Sequence, residues 1–209
     1  MADRFPDYDV LAKRDTPSWD AKTRAVIDER LALQVPDGIL TATQLATLRL
    51  VVHRLCPDPE GRAATTTLAM LVHKIAEDAS EGFRHHRLPE TGACWRRGLD
   101  ALEAEARARY GVAFAALTDE NADIVLRLVS LGDVVARRWD DLPPKLFWSW
   151  RLLPDCVAAH WAQPSLWSAM GFGGPAAPRG YVRTAIDRRD PWEAIEAGEP
   201  LRGLPRHRG

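Results

Sequence analysis

The chain has 209 residues, 28 basic against 29 acidic, a formal net charge of −1 and 46% hydrophobic residues. Near-neutral charge removes the electrostatic attraction that general nucleic-acid binding requires, and disorder needs lower hydrophobicity and higher net charge. No run approaches the ~20 apolar residues that cross a bilayer, and the polar start Met1-Ala2-Asp3-Arg4-Phe5 lacks the basic end and apolar run of a secretory signal.

The first predicted helix runs from Asp20 to about Leu33, with Ser18 as its cap and Ala25, Val26, Ile27, Leu31 and Leu33 on its apolar side. Pro36-Asp37-Gly38 ends it. Thr41 and Gln44 have the spacing of a capping box, in which each side chain satisfies an otherwise orphaned backbone N–H. Leu45, Leu48, Val52 and Leu55 follow at helical spacing until Pro57. Thr65 or Thr66 opens a third helix carrying Leu68, Leu71, Val72 and Ile75.

A polar turn over 81–87 precedes a long helix from about Glu90 to Tyr110, rich in Ala, Glu, Arg and Leu and stopped by Gly111. Thr118 caps the next, whose first turn holds Asp119 and Glu120 and whose stripe is Ile124, Val125, Leu128 and Leu131. After Arg138 the composition changes. Trp139, Trp148, Trp150, Trp161 and Trp167 are five of the chain's eight tryptophans. Pro143 and Pro144 open a helix that Pro154 should bend or interrupt, and Pro164 starts a short piece through Met170.

No alternating strands are evident. The expected fold is all-α, an irregular domain of about five to seven helices with an extended Gly/Pro-rich C-terminal segment. Residues 1–185 form that domain, 1–37 being an N-terminal extension and first helix, and 186–209 form an extended tail.

The usual sites of chemistry are missing from the sequence. The six histidines make no His-x-x-x-His and the three cysteines no Cys-x-x-Cys, so zinc spacings are absent and no metal ligands are assigned. His85-His86 reads as a solvated turn. Cys56, Cys94 and Cys156 are odd in number and far apart, which argues against a disulfide framework. Cys56 and Cys94 fall on apolar helix faces and read as small buried hydrophobes. No catalytic residue and no cofactor-binding residue is assigned to this chain.

Gly171-Phe172-Gly173-Gly174-Pro175-Ala176 formally fits a dinucleotide fingerprint. That motif works only between a strand and a helix, and Pro175 and Pro178 oppose a helix here. A fixed backbone shape fits better, glycine allowing positive φ and proline fixing φ. Two readings of the loop stand side by side. It is a clamp folded onto the chain's own core, or it presents Phe172, Arg179 and Tyr181 to another protein, since Trp, Tyr and Arg dominate binding hot spots.

At this loop the sequence resembles a known family. His160-Trp161, Pro164, Trp167 and the run Met170 to Tyr181 are similar to the C-terminal signature of the gluconate 2-dehydrogenase subunit 3 family. Thr41 to Leu48 and Cys56-Pro57 resemble that family's opening segment, so the likeness spans about residues 38–185. It implies a small non-catalytic subunit that supports folding or FAD loading of a large glucose-methanol-choline type dehydrogenase acting on sugars, polyols or aldonic acids. FAD would belong to that partner and no cofactor to this chain; a cytochrome c subunit is a further possible partner, with no nucleic acid and no membrane insertion.

Many relatives carry a twin-arginine export signal, which is not visible before the first helix. The expectation is therefore cytoplasmic, or periplasmic where such a leader has been removed. The contact surface expected from the resemblance comprises Trp148, Trp161, Trp167, Phe172, Gly173, Gly174, Pro175, Pro178, Arg179, Gly180 and Tyr181. The alternatives are a stand-alone helical enzyme using His160 or Cys156, and a general helical interaction module without a redox partner.

Overall fold

The computed structural model describes residues 3–78, 84–177, 180 and 193–197. Among these it is all-α, with seven helices and no sheet. They are α1 (Ala21–Ala32), α2 (Ala42–Leu55), α3 (Thr67–Ala76), α4 (Thr91–Tyr110), α5 (Asp119–Leu131), the composite α6 (144–161) and α7 (Pro164–Ala169). The chain divides into two compact units, one of Met1–Leu31, Asp58–Ala64 and Gln163–Gly209, the other of Ala32–Pro57 and Thr65–Ala162.

The larger unit, 32–57 with 65–162, is built around α4. Trp95, Leu99, Leu102 and Ala106 bury one side of that helix against Leu48 and Val51 of α2, Leu71, Val72 and Ile75 of α3, and Val125, Leu126 and Val129 of α5. The capping box at Thr41 and Gln44 forms in both directions. Gly111 ends α4 in the left-handed conformation at φ 73°. At Gly98 the α4 backbone runs against the Phe147 ring so closely that a Cβ would lie 2.1 Å from Cζ.

Two buried carboxylates fasten the connections to α4. Glu105 accepts from Arg109 Nε at 2.6 Å and from the N–H groups of Val135 and Ala136 at 3.0 and 2.9 Å. Glu103 accepts from Arg107 Nε and the Phe114 N–H, each at 2.8 Å. Backbone donors that enter a core without partners are costly, and these side chains supply the acceptors.

Three local expectations are corrected. The cap of α1 is Asp20, whose Oδ1 accepts from the Thr23 N–H at 2.7 Å, while Ser18 is buried before the helix. Only Ile27 of the expected apolar side is buried. Ala25, Val26 and Ile27 are consecutive and spread over too much of the helix circumference to share one face. In α5 the buried stripe is Ala122, Val125, Leu126 and Val129, whereas Ile124 and Leu131 are exposed.

Pro154 falls just after the point at which α6 leaves the α pattern, so the expected interruption takes the form of a change of helix type. The helix is α at Pro144–Phe147, π at Trp148–Leu152 and α again at Leu153–Trp161. In the widened turn Leu153 N–H bonds to the Trp148 carbonyl, one residue beyond the α pattern. The Trp150 carbonyl, normally the acceptor for residue 154, takes a bond from Arg151 Nε at 3.1 Å. A π turn thus absorbs the missing proline donor, a recognised way for a helix to remain continuous.

The smaller unit has its own core of Val10, Trp19, Ile27 and Trp167, flanked by Tyr8 and Leu11. A 3₁₀ turn at Val10–Lys13 packs beside α7, the Ser168 hydroxyl accepting from the Val10 N–H at 3.0 Å. Arg62 ties this unit's middle stretch to its start, bonding the Asp3 carboxylate at 2.7 Å and also the carbonyls of Phe5 and Tyr8.

Candidate functional site

The outer face of α6 is apolar and open. Trp150, Leu153, Val157 and Trp161 are 38, 37, 44 and 47% exposed. Their spacing of three, four and four residues puts them on one side of a helix. The opposite side carries Leu152, Cys156 and Ala159 into the core of the larger unit. Four apolar side chains in a row, each more than a third exposed, present a contact patch of the kind that marks protein interaction sites.

A buried polar cluster fixes this helix in place. Asp155 Oδ1 accepts from Lys74 Nζ of α3 at 2.8 Å, and Oδ2 accepts from Trp95 Nε1 of α4 at 2.7 Å. Arg151 lies 3.6 Å from the same carboxylate and donates to Thr91 Oγ1 at 3.0 Å. The cluster therefore secures one face of α6 to two helices and directs the other outward. At the N-terminal end of the stripe, the His85 ring sits 5.4 Å from that of Trp150 and stacks on His86 at 4.7 Å.

The residues expected at a partner surface fall in both units, Trp148 and Trp161 in the larger and the rest in the smaller. Trp161 stands at the end of the exposed stripe, while Trp148 is partly buried against the core of the larger unit. Trp167 is in the core of the smaller unit, with the exposed Phe172 ring edge-on at 6.0 Å. The loop after α7 is fastened to the N-terminal stretch of the same unit. Lys13 Nζ donates to the Gly173 carbonyl, and Trp19 Nε1 donates to the Pro175 carbonyl at 2.8 Å. Asp20 N–H bonds the Ala177 carbonyl at 2.9 Å.

Gly174 has φ 61°, and a Cβ there would come within 3.0 Å of Val10 and 3.1 Å of Trp167. Both the handedness and the close approach require glycine. Gly180 N–H bonds the Ala176 carbonyl, and Pro178, Arg179 and Tyr181 lie outside the described residues. Of the two readings of the loop, the clamp accounts for its described backbone groups. Trp150, Leu153 and Val157 were not among the expected site residues. The signal for them was the helical spacing to Trp161, obscured because α6 carries apolar residues on nearly every side.

Catalytic arrangements find little support in the same regions. Cys156 is fully buried, and its thiol is pushed well above the ordinary value by the Cys56 thiol and by burial. A nucleophile needs thiolate character and access. His160 is buried, its Nδ1 3.4 Å from Thr67 Oγ1. The Gly171–Ala176 segment follows a short helix, and no helix begins within it. It offers no helix N-terminus to a pyrophosphate, so these residues do not fit a dinucleotide. Among the described residues no group of three or more His, Cys, Asp or Glu could hold a metal ion, and no helix is long and apolar enough to cross a membrane.

A family model described as gluconate 2-dehydrogenase subunit 3 matches residues 42–174, well over half of the chain. The matched span runs from the first residue of α2 through α6 and α7 to Gly174, so it includes the whole exposed stripe. No curated protein and no solved structure matches the chain.

Proposed function

The chain belongs to the gluconate 2-dehydrogenase subunit 3 family, and from that premise we propose that it is the non-catalytic small subunit of a FAD-dependent sugar or polyol dehydrogenase. It binds the large glucose-methanol-choline type subunit, stabilises it and assists its folding or FAD loading. The flavin belongs to that partner, which carries the catalysis. The observation that carries this reading is the exposed Trp150–Leu153–Val157–Trp161 face on a helix anchored from behind. Tryptophan supplies large contact area at low entropic cost, and interface energy concentrates in such anchors.

Co-expression with the large flavoprotein is the test. The two chains should co-purify, and the large subunit made alone should contain less FAD and less soluble protein. The variants Leu153→Asp and Trp161→Ser should reduce co-purification at least tenfold while leaving the small subunit's melting temperature within about 2 °C, as surface substitutions usually do. Failure to co-purify, together with unchanged FAD content, would refute the reading. Loss of binding that tracks loss of folding would move the contact away from α6.

A further inference from the structure

The turn that leads into α4 reads Arg84-His85-His86-Arg87, and the fold sets it at one end of the apolar stripe of α6. Arg84, His86 and Arg87 are exposed and His85 is half-buried. The His86, His85 and Trp150 rings follow one another at 4.7 and 5.4 Å, so the histidine pair adjoins the stripe directly.

The stripe itself holds no charge. Ser149, Pro154 and Ala158 are the other exposed residues of α6 between 149 and 161, and none of them is ionisable. Arg151, the only arginine or lysine on that stretch, is turned inward to Thr91 and Asp155. At a rise of 1.5 Å per residue, Trp150 to Trp161 spans roughly 16 Å, or about three helical turns. The face thus has an uncharged length and a basic end.

We propose that this face receives an apolar segment of the large subunit that carries aspartate or glutamate at one end, and that the complex tightens as His85 and His86 take up protons. The inference rests on the reading that α6 docks the large subunit, and adds the chemistry of the docked segment and its dependence on pH.

Charge complementarity sets the direction of that segment. A carboxylate laid over the uncharged stripe would lose water without gaining a counter-charge, whereas one placed at the turn meets cations. The charged groups beside the histidine pair are Arg84 and Arg87 on the turn, Glu90 at the cap of α4 and Arg151 on α6, the last engaged with Asp155. Positive charge is in excess at the surface. His85 Nδ1 accepts from the Arg87 N–H at 3.2 Å, which puts the proton of the neutral ring on Nε2. A proton taken up at Nδ1 gives up that bond in exchange for a partner carboxylate. Histidine changes charge between about pH 5 and 8. A carboxylate that prefers the charged pair therefore draws protons onto it, and by linkage affinity rises as pH falls through that range.

The co-purified complex provides the test. Dilution of the complex and measurement of the fraction dissociated give Kd at a series of pH values. Kd should be about three- to tenfold lower near pH 5.5 than near pH 7.5, the yield of one or two exposed ion pairs. Added salt should weaken the complex more at the lower pH, where additional cations are screened. The double variant of His85→Gln with His86→Gln should lose this pH dependence, and Arg84→Gln should raise Kd throughout the range. A Kd that does not change with pH, or that follows the same course in the double variant, overturns the proposal and leaves the docking of the large subunit standing. Equal salt sensitivity at both pH values, read on the unmutated complex, also overturns it. A complex that never forms overturns both readings.

Discussion

Asp155 is the residue on which α6 turns. Its carboxylate is buried and receives Lys74, Trp95 and Arg151, so its removal takes a shared acceptor from two cations and an indole N–H at once. Breaking a buried, hydrogen-bonded ion pair from one side typically costs about 3–5 kcal/mol, because the remaining charge keeps its desolvation penalty. Asp155→Ala is expected to lose a free energy of that order in urea unfolding of the whole chain. Asp155→Asn, which can still accept from Trp95, should lose less. A loss under about 1 kcal/mol for the alanine variant would mean the cluster is no stronger than a surface ion pair and that α6 is held by apolar contacts alone. The cluster was not legible in the sequence: Lys74 and Asp155 are 81 positions apart, and no spacing rule connects them.

At the scale of elements, local chemistry was legible and the choice of face was not. The Thr41/Gln44 capping box, the Gly111 stop and the Thr118 cap formed where their side chains demanded. The stripe of α5 was misplaced because Ile124, Val125, Leu126, Leu128, Val129 and Leu131 support two overlapping helical faces. Neighbouring helices, not periodicity, selected Val125, Leu126 and Val129. The π turn in α6 was similarly out of reach, since proline announces a lost donor but not how the backbone replaces it.

Helix α1 shows how a local correction changes the response to pH. The Thr23 N–H bond lowers the Asp20 carboxyl below its ordinary value. A depressed folded value stabilises the native state above the unfolded pKa, about 3.9 for Asp. That contribution is lost as pH falls from there through the lower folded value, because the unfolded chain binds the proton first. Asparagine caps without titrating. The advantage of the parent chain over Asp20→Asn in melting temperature should therefore be constant near neutrality and shrink below about pH 4. A difference that stays constant down to pH 2 would exclude the carboxylate as the source.

At the scale of the whole molecule, the contacts group 1–31 with the stretch that follows residue 162. The matched family span of 42–174 contains Trp167 and Gly174 but not Val10 or Trp19, which pack against them. Trp19 and Pro175 are 156 positions apart, so nothing local could foretell that the glycine-rich loop would close on the chain's own beginning. Trp19 fills much of the smaller unit's core and also donates to the Pro175 carbonyl. Its truncation removes apolar contact and leaves that acceptor to water.

Trp19→Ala should accordingly cost about 3–5 kcal/mol, the usual range for emptying a buried aromatic site. The loss should be local, because the other unit has a separate core in which Trp19 has no part. Hydrogen exchange read by mass spectrometry distinguishes the cases. Peptides covering 8–31 and 163–177 should lose protection, while those from α2, α4 and α5 keep theirs, as expected for cooperative subunits of unequal stability. Equal loss of protection across all peptides would mean that the chain unfolds as one cooperative body. The N-terminal stretch would then be as necessary to the helical core as α4 itself.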